Sequence, residues 1–420
     1  MEKYQSYKPS GVEWIGEIPE GWKISKYKYN LRILSGFPFK SELFDNENGF
    51  PLLRIRDITS GTIETYYNGD FDNKYIIKKG DIVIGMDGDF NIREWDNDDI
   101  LLNQRCCKIQ EYNNLLLRFI YYTLPIDLTI INDLTYYTTV KHLSVDDLYN
   151  INCVLPPVSE QHQIVQFLDE KTNLIDKLIS TKERKISLLK EQRTSLINQV
   201  VTKGLNPNEK MKDSGVEWIG EIPEGWNFVN FGRICNVRQG LQIPFDDRLS
   251  EKVENSFEYI TTQSVHNPDQ YKQYILNPKP NVICNENDIL MGRTGNTGEV
   301  VTNVNGVFHN NFFLIDFNRK IINKEFLVWY LTNPRLREEL LLLSGTTTIP
   351  DLNHGKFLST KFVYPNLNEQ KQIVNFLNSK TKEIDDLVQL EKNKIDLLKE
   401  YRQSLISEVV TGKIKVTTDE

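Results

Sequence analysis

The sequence predicts an α+β protein built from two copies of one unit. Each unit is a mixed α/β globular block followed by a long helix, and the two helices pair antiparallel as a coiled coil about a pseudo-two-fold axis. Three observations carry this. Residues 10–22 read SGVEWIGEIPEGW, and residues 214–226 read the same thirteen letters at a shift of 204. Residues 160–202 align without a gap to 369–411 at a shift of 209, with 25 of 43 positions identical. Between these ends, blocks 23–155 and 227–364 share only fragments, such as GDIVIGMDG at 80–88 against NDILMGRTG at 287–295, and LNQRCCKI at 102–109 against FHNNFFLI at 308–315. A period of about 205 residues is too long for a solenoid. The drift in shift from 204 to 209 puts every insertion inside the blocks, so the ends serve one purpose twice while the middles serve two different ones.

The blocks come first in each copy. Apolar, β-rich runs at 52–58, 82–84 and 106–109 in the first, and at 259–262, 289–291 and 312–317 in the second, are separated by Gly and Asn turns and read as strands. A short helix follows each set, near 115–124 and 324–331. The long helices close each copy. In the first, Ile164, Leu168, Ile175, Ile179, Ile186, Leu189, Leu196 and Val200 recur at steps of three and four or their sum, which is a coiled-coil seam. The second carries Ile373, Leu377, Ile384, Val388, Ile395, Leu398, Leu405 and Val409 at the equivalent positions. Pro157 and Ser159 mark one start, Asn366 and Asn368 the other, and Gly204 and Gly412 the stops. At about 1.5 Å per residue, 43 residues span roughly 65 Å, and two such stripes in one chain most economically bury each other. A symmetric antiparallel register brings Lys182 opposite Glu391.

The polar loop residues of the blocks are of the types that read base edges or grip phosphates. They are Arg54, Arg56, Arg93, Asn103, Gln104, Arg105 and Lys141 in the first, and Arg238, Gln239, Gln263, Arg293, Asn296, Asn310 and Asn311 in the second. Arg pairs with guanine, and Asn or Gln with adenine, through paired hydrogen bonds in the major groove. Tyr136, Tyr137, Thr138 and Thr139, echoed by Thr346, Thr347 and Thr348, are candidate phosphate contacts.

Composition bounds the rest. The formal net charge is −8 and the pI about 5.4, which taken alone speaks against nucleic acid. Neither block is basic: residues 23–155 hold 15 Lys plus Arg against 19 Asp plus Glu, and residues 227–364 hold 14 against 14. Binding DNA therefore requires segregated basic faces or partners that supply the phosphate neutralisation. The N-terminal MEKYQSYKPS has no apolar signal core and no stretch reaches about 18 apolar residues, so a cytoplasmic protein without a membrane segment is expected. Five cysteines, Cys106, Cys107, Cys153, Cys235 and Cys284, form no CxxC pair and are expected to be buried thiols.

No catalytic constellation emerges. There is no GxxxxGK[ST] loop and no HExxH pair. Gly292, Gly295 and Gly298 form GxxGxxG, not a dinucleotide fingerprint; Asp57 with Asp72 and Lys74 only faintly suggests a nuclease carboxylate site; the lone Pro-Pro, Pro156 and Pro157, sits outside any methyltransferase-type loop. The chain is expected to be non-catalytic, with no metal site and no cofactor of its own.

WIGEIPEGW opening each half, LPPVSEQHQIVQFLDEKTNLID and YPNLNEQKQIVNFLNSKTKEID leading into the helices, and LLKEQRTSLINQVVT with LLKEYRQSLISEVVT closing them resemble the specificity subunits of type I restriction-modification enzymes. Pro365-Asn366 replaces the Pro-Pro of the first copy. The resemblance implies target-recognition domains at 1–158 and 205–365, conserved spacer helices at 159–204 and 366–413, and a tail at 414–420. It implies that each domain reads half of a split, asymmetric duplex DNA site, and that the helices set the spacing and dock two methyltransferase subunits. Those partners would methylate adenine with S-adenosylmethionine, and ATP- and Mg-dependent restriction subunits would join for cleavage. A modification-only system is the nearest alternative, and a coiled-coil adaptor without DNA contact the more distant one. On this reading the acidity belongs to one subunit of a larger assembly, and the chain alone binds DNA weakly and with strong salt dependence.

Overall fold

The computed structural model describes residues 2–134, 141–345 and 351–416, with side chains of 131–134 excluded. The chain folds into two compact units, one formed by Met1–Lys182 with Asn393–Glu420 and the other by Glu183–Lys392. The division cuts both long helices, Val158–Lys203 and Leu367–Val410, near their middles, so each unit owns one half of each helix.

In the first unit the repeated motif forms a hairpin, Tyr7–Pro9 against Glu17–Pro19. The strand after it, Lys23–Lys26, pairs antiparallel with Asn152–Leu155, the strand that feeds the long helix. Both ends of the block are thereby tied together, and everything between is a looped-out module. That module holds an antiparallel sheet ordered 92–94, 82–85, 106–111, 31–35, and a second sheet in which Ile100–Leu102 runs parallel to Phe50–Leu53. Ile82, Ile84, Cys107 and Ile109 point from the first sheet into the main core with Trp22, Phe119, Ile164 and Leu168.

The second unit repeats this plan. Met211–Asp213 pairs with Glu221–Pro223, and Asn227–Asn230 with Lys361–Tyr364. Its antiparallel sheet is ordered 235–239, 312–317, 289–292, 300–302, and Ser256–Ile260 runs parallel to Gly306–Phe308 in the other. The core is more aromatic here: Phe231 stacks between Phe357 and Phe362, with centroids 4.7 and 4.9 Å away.

Two expected strands end early. The run at 52–58 is strand only at Phe50–Leu53, then helix Ile55–Ser60; the run at 259–262 gives way to helix Thr262–His266. Asp57, accepting the Arg54 N–H at 2.8 Å, and the reciprocal capping box of Thr261 and Ser264 turn the chain, because each offers partners to amide groups at a helix start. The first block's helix, expected near 115–124, runs Leu117–Leu134, and the second block adds Pro334–Ser344 after Lys324–Leu331.

Within each unit the halves of the long helices pack antiparallel. Asp176 meets Arg402 at 3.1 Å in the first; in the second Lys185 meets Glu391 at 2.9 Å and Arg193 meets Asp385 at 3.0 Å. The buried Glu391 takes Lys185, one turn beyond Lys182, as an ion-pair partner. None of the sixteen seam residues is exposed, and Ile197, which the seam pattern omits, is buried beside Leu196.

The exact repeats have a structural reason. Trp22 donates its indole N–H to Glu160 at 2.9 Å, and Trp226 donates to Glu369 at 3.1 Å, so each motif is hooked to the start of the helix that follows it. The glycine ending the other helix lies against the same indole. A Cβ on Gly412 (φ +75°) would stand 2.4 Å from Pro19 Cδ and 3.1 Å from Trp22 Cζ3, and one on Gly204 (φ +74°) 3.0 Å from Trp226 Cζ2. Gly412→Ala combines left-handed strain with a clash and is expected to destabilise the first unit by about 2 kcal/mol or more. Thermal unfolding of the variant measures this.

Candidate nucleic-acid interface

In each unit three segments far apart in sequence meet along one rim. In the first, the hairpin at 86–91 joins the turn at 103–105 through Met86 N–H to the Arg105 carbonyl at 2.9 Å. Residues 141–144 join the hairpin through Leu143 N–H to the Met86 carbonyl at 2.7 Å and Gly88 N–H to the Lys141 carbonyl at 3.1 Å. In the second, Arg293 N–H donates to the Asn311 carbonyl at 2.6 Å and Leu352 N–H to the Arg293 carbonyl at 3.0 Å. The same backbone register recurs with different side chains.

On the first rim Gln104 and Arg105 are exposed, while Asn103 is buried and turns its Oδ1 to the Gln104 amide. Arg105 Nη1 lies 3.1 Å from Asp87, whose other oxygen meets His142 Nδ1 at 2.6 Å. Arg54, Arg56 and Arg93 gather instead around the helix Ile55–Ser60. Arg54 precedes it with its guanidinium 5.7 Å from the Phe44 ring; Arg56 pairs with Glu64 at 3.1 Å; Arg93 pairs with Asp96 at 2.9 Å beside the Ile58 carbonyl. Lys141 is half-buried.

On the second rim Arg293 makes a two-bonded pair with Asp351 at 2.7 and 2.8 Å, which holds the carboxyl below the usual range and raises the guanidinium further. Gln239 Nε2 donates to the Asn310 carbonyl at 2.8 Å, Asn310 Nδ2 to Gln242 at 3.2 Å, and Thr294 Oγ1 to Asn311 Oδ1 at 2.9 Å. Asn296 Nδ2 is 2.7 Å from His266 Nε2, which also lies 3.0 Å from Glu299. Gln263 is exposed on the helix that carries His266. Arg238 departs from the group, donating to the Asn281 carbonyl at 3.1 Å. Burial lowers the titration of His309 and His354.

The structure thus unites Asn103, Gln104, Arg105 and Lys141 on one rim and Gln239, Arg293, Asn296, Asn310 and Asn311 on the other. Sequence reasoning missed Asp87, His142, His266, Thr294 and Asp351. Each lies far along the chain from the side chain it meets, and only the fold brings the two together. The Tyr136–Thr139 and Thr346–Thr348 candidates lie outside the described residues. Asp57 accepts the Arg54 N–H at the start of one short helix, and Asp72 caps another and pairs with Lys74 at 3.1 Å. Among the described residues no group of three His, Cys, Asp or Glu could hold a metal ion, and no helix is long and apolar enough to cross a membrane. All five cysteines are buried and unpaired with one another, and burial pushes the Cys106 thiol up to about 12.

The model of the type I restriction modification DNA specificity domain matches this chain twice, over residues 19–188 and 223–400. The chain belongs to this family. It is 30% identical over 428 residues to the EcoBI specificity subunit of Escherichia coli, an alignment spanning 96% of this chain and 88% of that one. It is 23% identical to the MjaVIII specificity subunit of Methanocaldococcus jannaschii, covering 95% and 94%. In fold it resembles a chain solved in a study of complex assembly and conformational transition of the type I R-M system, with TM-score 0.73, 16% identity and coverage of 94% and 99%. The HsdS subunit of Thermoanaerobacter tengcongensis gives TM-score 0.54 at 16% identity, with coverage of 94% and 98%. As a specificity subunit the chain supplies recognition to a restriction-modification complex whose catalysis lies in its partner subunits. The two matched segments fall on the two halves, which suits a bipartite DNA site.

Proposed function

We propose that each rim reads one half of an asymmetric duplex DNA site, and that the long helices set the gap between the halves and dock two methyltransferase subunits. The observation that carries this is the pair of rims: one backbone register, with acid, Arg and His at 87, 105 and 142 in the first unit, and Thr, Asn and Asp at 294, 311 and 351 in the second. A scaffold kept while its exposed side chains change is what reading two different sequences requires.

Docking is supported by apolar residues that the seams leave outside. Leu178 and Leu387, and Leu188 and Leu397, occupy equal places in the two helices, and all four are exposed. The partners would bring S-adenosylmethionine, transfer a methyl group to an adenine flipped from the stack, and admit ATP- and Mg-dependent restriction subunits. Arg105 and Arg293 on the rims, and Arg56 and Arg93 beside the helix Ile55–Ser60, already carry acidic neighbours, so much of the phosphate neutralisation falls to those partners.

Genome-wide mapping of methylated adenines in cells with and without the gene tests the reading. One bipartite motif that disappears with the gene is expected, and Asn310→Ala with Asn311→Ala should alter only one of its halves. Changes in both halves together, or no motif, would sink it.

A further inference from the structure

The two rims are equivalent position by position, and this narrows what one of them reads. The hydrogen bonds that place Met86 between Arg105 and Leu143 place Arg293 between Asn311 and Leu352. By that register Asp87 matches Thr294, Arg105 matches Asn311, and His142 matches Asp351. In both units the second hairpin residue holds the side chain at the end of the turn: Asp87 holds Arg105 at 3.1 Å, and Thr294 holds Asn311 at 2.9 Å. The hairpin residue acts as an orienting partner, and the turn residue is the one oriented.

We propose that Arg105 reads a guanine in the half-site of the first unit, with Asp87 and His142 as its positioning residues. This rests on the reading of the rims as DNA-facing. The Asp87 side chain is only 21% exposed and is fixed from two sides, by Arg105 on Oδ2 and by His142 on Oδ1. Arg105 is 58% exposed, and its contact with Asp87 engages Nη1, so guanidinium donors remain for an incoming ligand.

Charge decides which ligand suits it. A carboxylate beside the guanidinium cancels most of its field and weakens its pull on a phosphate anion. The neutral O6 and N7 acceptors of guanine are met by aligned donors, and alignment is what the carboxylate provides.

The test uses the complex of this chain with its methyltransferase subunits and duplexes carrying the mapped site with single base-pair replacements. Arg105→Lys keeps the charge and loses the paired geometry, and Asp87→Asn keeps the shape and loses the hold. Each should cut discrimination in favour of guanine at one position of one half-site by about ten-fold or more, leaving the other half unchanged. His142→Ala should act at the same position.

Two results would overturn the assignment. One is an unaltered guanine preference in Arg105→Lys. The other is uniform weakening over all duplexes by Arg105→Ala, with the slope of log affinity against log salt falling by about one, which marks a phosphate contact. Absence of any bipartite preference in the unsubstituted complex would instead refute the DNA-facing reading itself.

Discussion

Gln370→Leu is expected to cost the second unit about 3 kcal/mol or more, and Gln161→Leu the first unit a similar amount. Both glutamines are fully buried. Gln370 accepts from Asn323 N–H at 2.8 Å and donates to the carbonyls of Ile321 at 2.9 Å and Pro365 at 2.8 Å. Gln161 accepts from Leu116 N–H at 3.0 Å and donates to Asn114 at 2.8 Å and Pro156 at 2.9 Å. Leucine fits the volume but leaves one amide and two carbonyls without partners, each costing about 1–3 kcal/mol before relaxation. Urea unfolding of the single variants measures it, and a loss under 1 kcal/mol would show that these clamps are dispensable. The same contacts explain why the Glu-Gln pair is repeated. Glutamate holds the indole of the motif, glutamine holds the loop ahead of the block's helix, and together they fasten each block to its long helix.

Asp127→Asn should stabilise the first unit at pH 8 by a few kcal/mol while changing little near pH 4. Burial pushes the Asp127 carboxyl up to about 8, a rise only partly opposed by the Tyr27 hydroxyl that donates to it at 2.8 Å. In the unfolded chain the group titrates near its ordinary value of about 4. As the pH rises from 4 towards 8 the unfolded chain releases a proton that the folded chain keeps, so the neutral acid's contribution to stability is lost across that window. Asparagine preserves the shape and the acceptor without the ionisation. Stability measured from pH 4 to 9 should therefore fall for the parent and remain flatter for the variant; parallel curves would refute the assignment. The cluster is peculiar to this unit. Phe231 stands 204 positions after Tyr27, and its surroundings are aromatic.

Much of the architecture is written in the order of residues. The duplication, the two long helices and their seams depend on periodicity and identity along one strand of sequence, and the family resemblance rests on the same runs. Local pattern misled at 52–58 and 259–262, where apolar β-branched residues read as strand. Asp57 and Ser264, three residues past each cap, turn the chain into helix by accepting the backbone N–H of the cap residues Arg54 and Thr261. Loop polarity singled out Gln104, Arg105, Arg293, Asn310 and Asn311, which the structure brings to the two rims, yet it could not separate them from Arg56, Arg93 or Arg238.

Tertiary structure alone decided the partners. Asp87 reaches Arg105 across 18 residues and His142 across 55, and Arg293 reaches Asp351 across 58. These meetings are set by which strands lie side by side, Ile82–Gly85 against Cys106–Glu111 in the first unit and Ile289–Gly292 against Phe312–Phe317 in the second. The sequence by itself determined that this chain has two like frames and two unlike surfaces. The fold determined which side chains share a surface, because hydrogen-bonded strands fix neighbours in space that covalent order leaves far apart.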